Sequence, residues 1–222
     1  MIGLEIVVLQ PGTQYSDAED GVEYSSIPSD LPWVAAVNDI DVTDWRVGLS
    51  PTKIARVHQQ QHCLPVRIHE TLYLSDARSV RSIAALKSRR ITRVLNMAGA
   101  AAAPLPTIQR TYHSMGIAYK EISAPDDETY PLLELHLKEA LEFLHEDGTA
   151  VSVVHCSAGL NRSGLIACID FMLTNNVPVV EAVAHLRRQR GNMALGNEGL
   201  QKQLVAFARA HNMLGDVPRL VG

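Results

Sequence analysis

Val153–Gly164 reads VVHCSAGLNRSG: a β-branched apolar pair runs into a glycine-bearing loop that closes on an arginine and a serine. The residues before it, TAVSVVH, predict a short buried strand. A helix is expected from Ser163 to about Thr174, so the stretch is a strand–loop–helix joint, the building unit of an α/β layer fold. With Cys156 at the strand end and Arg162 at the helix start, Ser157, Ala158, Gly159, Leu160 and Asn161 must curl tightly. Gly159 supplies the backbone angles for that curl.

Working outward, the same alternation repeats. RIHETLYLS (67–75) predicts a strand, and DARSVRSIAALKSRR a helix opened by a capping aspartate with apolar spacing at Val80, Ile83 and Leu86. ITRVLNMA (91–98) and GIAYKEIS (116–123) predict two more strands. LLELHLKEALEFLHEDG (132–148) is the clearest helix, with Leu133, Leu137, Leu141 and Leu144 on one face and a glycine at the end. Two further helices are expected over 179–188 and 198–210. The sum is a central, mostly parallel mixed sheet with helices on both faces. Upstream, MIGLEIVVLQPG predicts a short strand ending in a Pro-Gly turn, residues 11–32 a polar acidic loop, and residues 44–65 carry no assignable pattern.

Composition bounds the chemistry. The chain has 222 residues, net charge −4 from 20 Lys and Arg against 24 Asp and Glu, and 46% hydrophobic content. That suits one globular domain with an extension and disfavours nucleic acid as a partner bound through a broad basic footprint. LRRQR (186–190) carries three arginines and reads as a solvated helix end. No apolar run is long enough for a membrane span, and the N-terminal run lacks the basic leader of a secretory signal. The three cysteines, Cys63, Cys156 and Cys168, form neither a disulfide framework nor a zinc pattern, so a reducing compartment is expected. Cys168 reads as a small apolar residue on its helix and Cys63 as incidental.

Cys156 reads differently. Backbone N–H groups of a strand-to-helix loop converge into an anion nest, reinforced by the positive end of the helix dipole. A thiol at its rim is favoured as thiolate. Arg162 adds a planar fork that grips two phosphoryl oxygens. The loop is therefore a cradle for a tetrahedral oxyanion with a nucleophile at its base, placed to attack phosphorus. A Walker-type loop is excluded because no Gly-Lys-Ser/Thr follows the glycine. His155 lies next to Cys156 along a strand, so its side chain faces the other way; it is suited to holding the loop and not to taking the thiol proton. Departure of an alkoxide or phenoxide calls for an acid, and APDDETYP offers Asp126, Asp127 and Glu128. The same group, as carboxylate, activates water against a phosphocysteine. Ser163 can donate a hydrogen bond to the departing thiolate, and can also serve as a helix N-cap. No metal or cofactor is required, since Arg162 and the amides balance the phosphate charge.

HCSAGLNRSG matches every fixed position of H-C-x-x-G-x-x-R-S-G, a pattern expected by chance on the order of once in a million such chains. It resembles the signature of the dual-specificity branch of the cysteine-based protein tyrosine phosphatases. The resemblance runs from about Arg67 to His211: ETLYLSDARS resembles the family's opening strand and turn, ITRVLNMA its second strand and ISAPDDETYPLLEL its acid loop. GNEGLQKQL (196–204) resembles the Asn-x-Gly-aromatic segment, with Leu200 in the aromatic position. It implies a dual-specificity phosphatase-like domain over 67–214, an N-terminal extension over 1–66 and a tail over 215–222. It further implies Cys156 as nucleophile, Arg162 as phosphate clamp, Asp126 as acid and then base, and His155 and Asn197 as loop supports. The implied pocket is shallow enough for phosphotyrosine and for phosphoserine or phosphothreonine, on phosphoprotein substrates in cytoplasmic or nuclear signalling. Two other readings stay within view. GLNRSG also resembles RNA 5′-phosphatases and triphosphatases, but Ser157, Ala158, Leu160 and Asn161 are uncharged, which counts against RNA and phosphoinositides alike. A non-catalytic phosphoprotein-binding module is the alternative of another class, and the presence of Cys156 counts against it. Nothing in the sequence sets the oligomeric state.

Overall fold

The structure, a computed structural model, describes residues 30–42 and 63–216. The strand expected within residues 1–12, most of the acidic loop, most of the unassigned 44–65 stretch and the last six residues lie outside that range.

The apolar run before Cys156 becomes β5 (Ser152–Cys156), every residue of which is buried. It can be so apolar because it is central. β1 (Val66–Arg67), β2 (Leu72–Asp76), β3 (Arg93–Asn96), β4 (Ala118–Glu121) and β5 form one sheet in the order β1-β2-β5-β3-β4. β1 runs antiparallel to β2, while β2, β5, β3 and β4 are parallel neighbours. Side-chain alternation divides the core in two. Leu74, Leu95, Val154 and Cys156 face a large cluster, whereas Val94 and Val153 face a smaller one. The large cluster is roofed by α1 (Leu31–Asp39), α4 (Leu132–His145), α5 (Arg162–Asn175), α6 (Val179–Arg190) and α7 (Glu198–Ala210). On the opposite face lie α2 (Ile83–Ser88) and α3 (Pro106–Ser114), through Leu86 and Tyr112. The expected α/β architecture is therefore present. Among the described residues no helix is long and apolar enough to cross a membrane.

Several local expectations need correction. Residues 67–75 are a hairpin and not one strand: Val66 and Arg67 pair with Leu74 and Tyr73, and the amides of Ile68 and His69 both turn onto the Leu72 carbonyl. The turn is held because His69 reaches Asp170 on α5 at 2.5 Å. Asp170, 1% exposed, also accepts from His145 at the end of α4, so one buried carboxylate ties three elements together. Residues 76–90 hold two short helices. Asp76 accepts from the Ser79 amide at 2.6 Å to cap a 3₁₀ turn over Ser79–Arg81, and Ser82 then caps α2 through the Ala85 amide. α3 has no counterpart in the sequence reading, because its polar composition hides its single buried anchor, Tyr112.

Part of the N-terminal extension packs on the domain: Trp33, Val34 and Val37 of α1 are buried in the main core. Asp30 pairs with Arg209 of α7. The orphan carbonyls at the end of α1 are met by Arg187, whose Nη1 donates to Val37 (2.9 Å), Asn38 (3.2 Å) and Ile40 (2.6 Å).

Candidate active site

Parallel sheets bind ligands beyond the carboxyl ends of their strands, and the end of β5 places Cys156 there. Only 1% of Cys156 is exposed, so the sulfur lies at the floor of the loop and not at its rim. The loop rises around it because Gly159 adopts φ +66°, and a Cβ there would sit 2.4 Å from the Ser75 carbonyl oxygen of β2. That combination of positive φ and close approach admits glycine alone.

The loop carbonyls face outward, each to a named donor. Ser157 O accepts from the Ala77 amide at 3.2 Å and Leu160 O from the Leu195 amide at 3.1 Å. Ala158 O and Gly159 O accept from Arg190 of α6, at 2.9 and 3.1 Å. In a planar trans peptide the N–H points opposite to the carbonyl of the same unit. The amides of Ala158, Gly159, Leu160 and Asn161 therefore face the interior, toward Cys156. Directly after them come the first-turn amides of α5, whose helical hydrogen bonding begins with Leu165 N to Asn161 O at 2.8 Å. Amides so arranged can hold a tetrahedral oxyanion.

Arg162 is held from two sides. Its Nη1 donates to Ala124 O at 2.8 Å and its Nη2 to Ser157 Oγ at 3.1 Å. Its buried Nε makes no hydrogen bond and lies 3.6 Å from Asp126 Oδ2, which leaves a cationic donor for a phosphoryl oxygen. Ser163, fully buried, donates to Cys156 Sγ at 3.2 Å, in the position to hold a thiolate. His155 is also fully buried, and its Nδ1 lies 3.2 Å from Cys156 O. Burial pushes its pKa down to about 4, so the ring is neutral near pH 7 and supports the loop backbone as a donor. Cys168 is wholly buried on α5, and burial pushes its thiol up; Cys63 is exposed.

The acid loop gives its three carboxylates different surroundings. Asp126 reaches over the cradle: Asn161 Nδ2 donates to its Oδ1 at 3.2 Å and Asn197 Nδ2 to the same oxygen at 3.3 Å. Asp127 turns away into an Asx turn, accepting from Thr129 N at 2.8 Å and Thr129 Oγ1 at 2.6 Å. Those bonds hold its carboxyl below the usual range. Glu128 places its backbone against Gly199, where a Cβ would lie 1.9 Å from the Glu128 oxygen. Asn161, expected only as a loop residue, is a hub, because its Oδ1 also accepts from Gly196 N and Asn197 N at 3.1 and 3.2 Å. Asn197 caps α7 through Leu200 N at 3.1 Å.

Cys156, Arg162, Ser163, Asp126, Asn197 and the loop Ser157–Asn161 thus converge on one site, with His155 behind it. Sequence reasoning missed Arg190, which braces the loop, and the close approach of Glu128 to Gly199, a glycine it met only within the Asn-x-Gly-aromatic segment. LRRQR, read as a solvated helix end, is largely structural: Arg187 is 3% exposed and Arg190 braces the loop, leaving Arg188 on the surface. Outward carbonyls that require donors were the available signal for Arg190.

Comparison with known proteins bears on the same region. Residues 72–210 match the family described as dual specificity phosphatase, catalytic domain. Human dual specificity protein phosphatase 26 is 29% identical over 142 residues, covering 62% of this chain and 64% of that protein. The chain thus spans slightly under two thirds of that relative's length. Dual specificity protein phosphatase 1 of Arabidopsis thaliana is 27% identical over 183 residues, covering 81% of this chain and 86% of the relative. The crystal structure of DUSP15 superposes with a TM-score of 0.56 at 24% identity, covering 65% of this chain and 87% of that one; this likeness concerns the fold.

Proposed function

This chain belongs to the dual-specificity phosphatase family, and we propose that it hydrolyses phosphate monoesters of protein tyrosine and of serine or threonine through a phosphocysteine. The phosphate enters the ring of inward amides and Arg162 takes two of its oxygens. Cys156 Sγ attacks phosphorus as the ester oxygen leaves with a proton from Asp126. Asp126, now a carboxylate, takes a proton from water as that water attacks phosphorus. The Sγ–P bond breaks, and Ser163 donates to the departing thiolate. Inorganic phosphate is released. The reading rests on one observation above others: Ser163 Oγ lies 3.2 Å from Cys156 Sγ at the floor of a cradle across which Asp126 is held by Asn161 and Asn197.

Phosphoproteins are the proposed partners and the cytoplasm or nucleus the proposed location, the latter supported by free cysteines at 63, 156 and 168. The test is turnover of an aryl phosphate by the wild type and by Cys156→Ser, followed by a panel of phosphopeptides, triphosphorylated RNA and phosphoinositides. The proposal expects Cys156→Ser to be inactive and phosphopeptides to be preferred. Retained turnover in Cys156→Ser, or a preference for RNA or lipid, contradicts it.

A further inference from the structure

α4 starts under unusual conditions. Its N-cap is Pro131, which carries no capping oxygen, so the first-turn amides need an acceptor from elsewhere. Gln203, on the half-buried face of α7, supplies one: its Oε1 accepts from Leu133 N at 3.2 Å. The other end of the same amide donates, Nε2 to Tyr130 O at 2.8 Å. Tyr130 O also receives Leu132 N at 2.8 Å in an inverse γ-turn about Pro131, with φ −79° and ψ 67°. One partner is a donor and the other an acceptor, so the amide has a single productive orientation.

The tie sits where the acid loop ends. Four residues before Tyr130 is Asp126. The start of the loop is fixed by Arg162 on Ala124 O, and its middle is pressed onto Gly199, one helical turn before Gln203 on the same helix. Tyr130 itself is steadied from α4, with Oη 2.6 Å from His136 Nε2. α7 therefore carries Asn197 under the carboxylate, Gly199 under the backbone and Gln203 at the exit.

We propose that Gln203 is a positioning residue for the proton donor: by clamping Tyr130 and Leu133 it sets the reach of Asp126 over the phosphate. This rests on Asp126 being the acid. A misplacement of about 1 Å in a catalytic group can cost on the order of a hundredfold. A positioned acid matters most when the leaving group is poor. The test compares kcat/KM, which reports phosphoryl transfer to Cys156, for two aryl phosphates: one releasing a strongly acidic phenol and one a weakly acidic phenol. Gln203→Met keeps the side-chain volume and removes both polar arms. It should lose roughly tenfold to a hundredfold on the poor leaving group and stay within about threefold on the good one. Added to Asp126→Ala it should cost nothing further. Should the Met variant not fold, Gln203→Glu, which keeps the acceptor for Leu133 N and loses the donor for Tyr130 O, should show the same selective loss. Equal losses on both substrates, no loss in a folded variant, or an added loss on top of Asp126→Ala overturns the proposal. If Asp126→Ala itself shows no leaving-group preference, the acid assignment falls and this inference with it. If Asp126→Ala shows the preference and Gln203→Met does not, only the tie falls.

Discussion

Replacing Asp126 and Asp127 separately by alanine places the acid with single-residue resolution. The two carboxylates are adjacent, yet their surroundings differ in kind. Asp126 faces Arg162 Nε at 3.6 Å and is steered over the cradle by two asparagine amides. Asp127 is committed to two bonds from Thr129, which keep it ionised and therefore a poor proton donor. Losing a positioned general acid costs about 10²–10⁴ in rate, or about 2.7–5.4 kcal/mol of transition-state stabilisation. Asp126→Ala should lose that much in kcat/KM on a phosphotyrosine peptide and flatten the alkaline limb of its pH profile. Asp127→Ala should stay within roughly threefold of wild type, as exposed substitutions away from the chemistry do. A steady-state comparison of the two variants, with thermal unfolding as the check on folding, is sufficient. Damage from Asp127→Ala with Asp126→Ala nearly silent would refute the geometry and shift the acid by one residue.

Ser163→Ala removes the donor to Cys156 Sγ and should slow phosphoenzyme hydrolysis by roughly tenfold, seen as a larger pre-steady-state burst of phenol. Gly159→Ala forces a left-handed backbone at about 1–2 kcal/mol and pushes a methyl into the Ser75 carbonyl, so both activity and the melting temperature should fall. Arg190→Gln releases two loop carbonyls and should raise the inhibition constant for vanadate while leaving the fold intact. The bond to Asp170 raises the pKa of His145 above 6.5, a contribution to stability that is complete below that value and lost as pH climbs through the raised one. Burial pushes Asp170 up, but its bonds to His145 and His69 outweigh this and leave it below 3.8; its contribution is lost only as pH falls through the depressed value. The wild-type melting temperature should therefore decline from about pH 6 upward more steeply than that of His145→Gln; equal slopes contradict the staple.

What the sequence disclosed was local. The phosphate loop, the apolar face of α4 and the bounds of α5, α6 and α7 rest on neighbours a few residues apart, which spacing and glycine placement reveal. The hairpin at 66–76 differs from the single strand expected because its alternation is compatible with one strand, whereas the turn is held in part by the His69–Asp170 bond, between residues 101 apart. α1 was missed for the same reason: its anchor is Arg187, about 150 residues away. Cys156, Arg162 and Asp126, the proposed nucleophile, clamp and acid, were legible because chemistry restricts the residue types that can fill such roles. The neighbours at Arg190 and Gln203 were not, because arginine and glutamine on a helix have many ordinary uses.

The account stands on a covalent bond between one sulfur and phosphorus. Rapid quenching of the enzyme with labelled aryl phosphate, followed by peptide mapping, tests it most directly. One phosphoryl group should appear on the peptide containing Cys156, persist longer in Ser163→Ala and be absent in Cys156→Ser. Steady turnover with no phosphoenzyme, or label on any other residue, would contradict the mechanism.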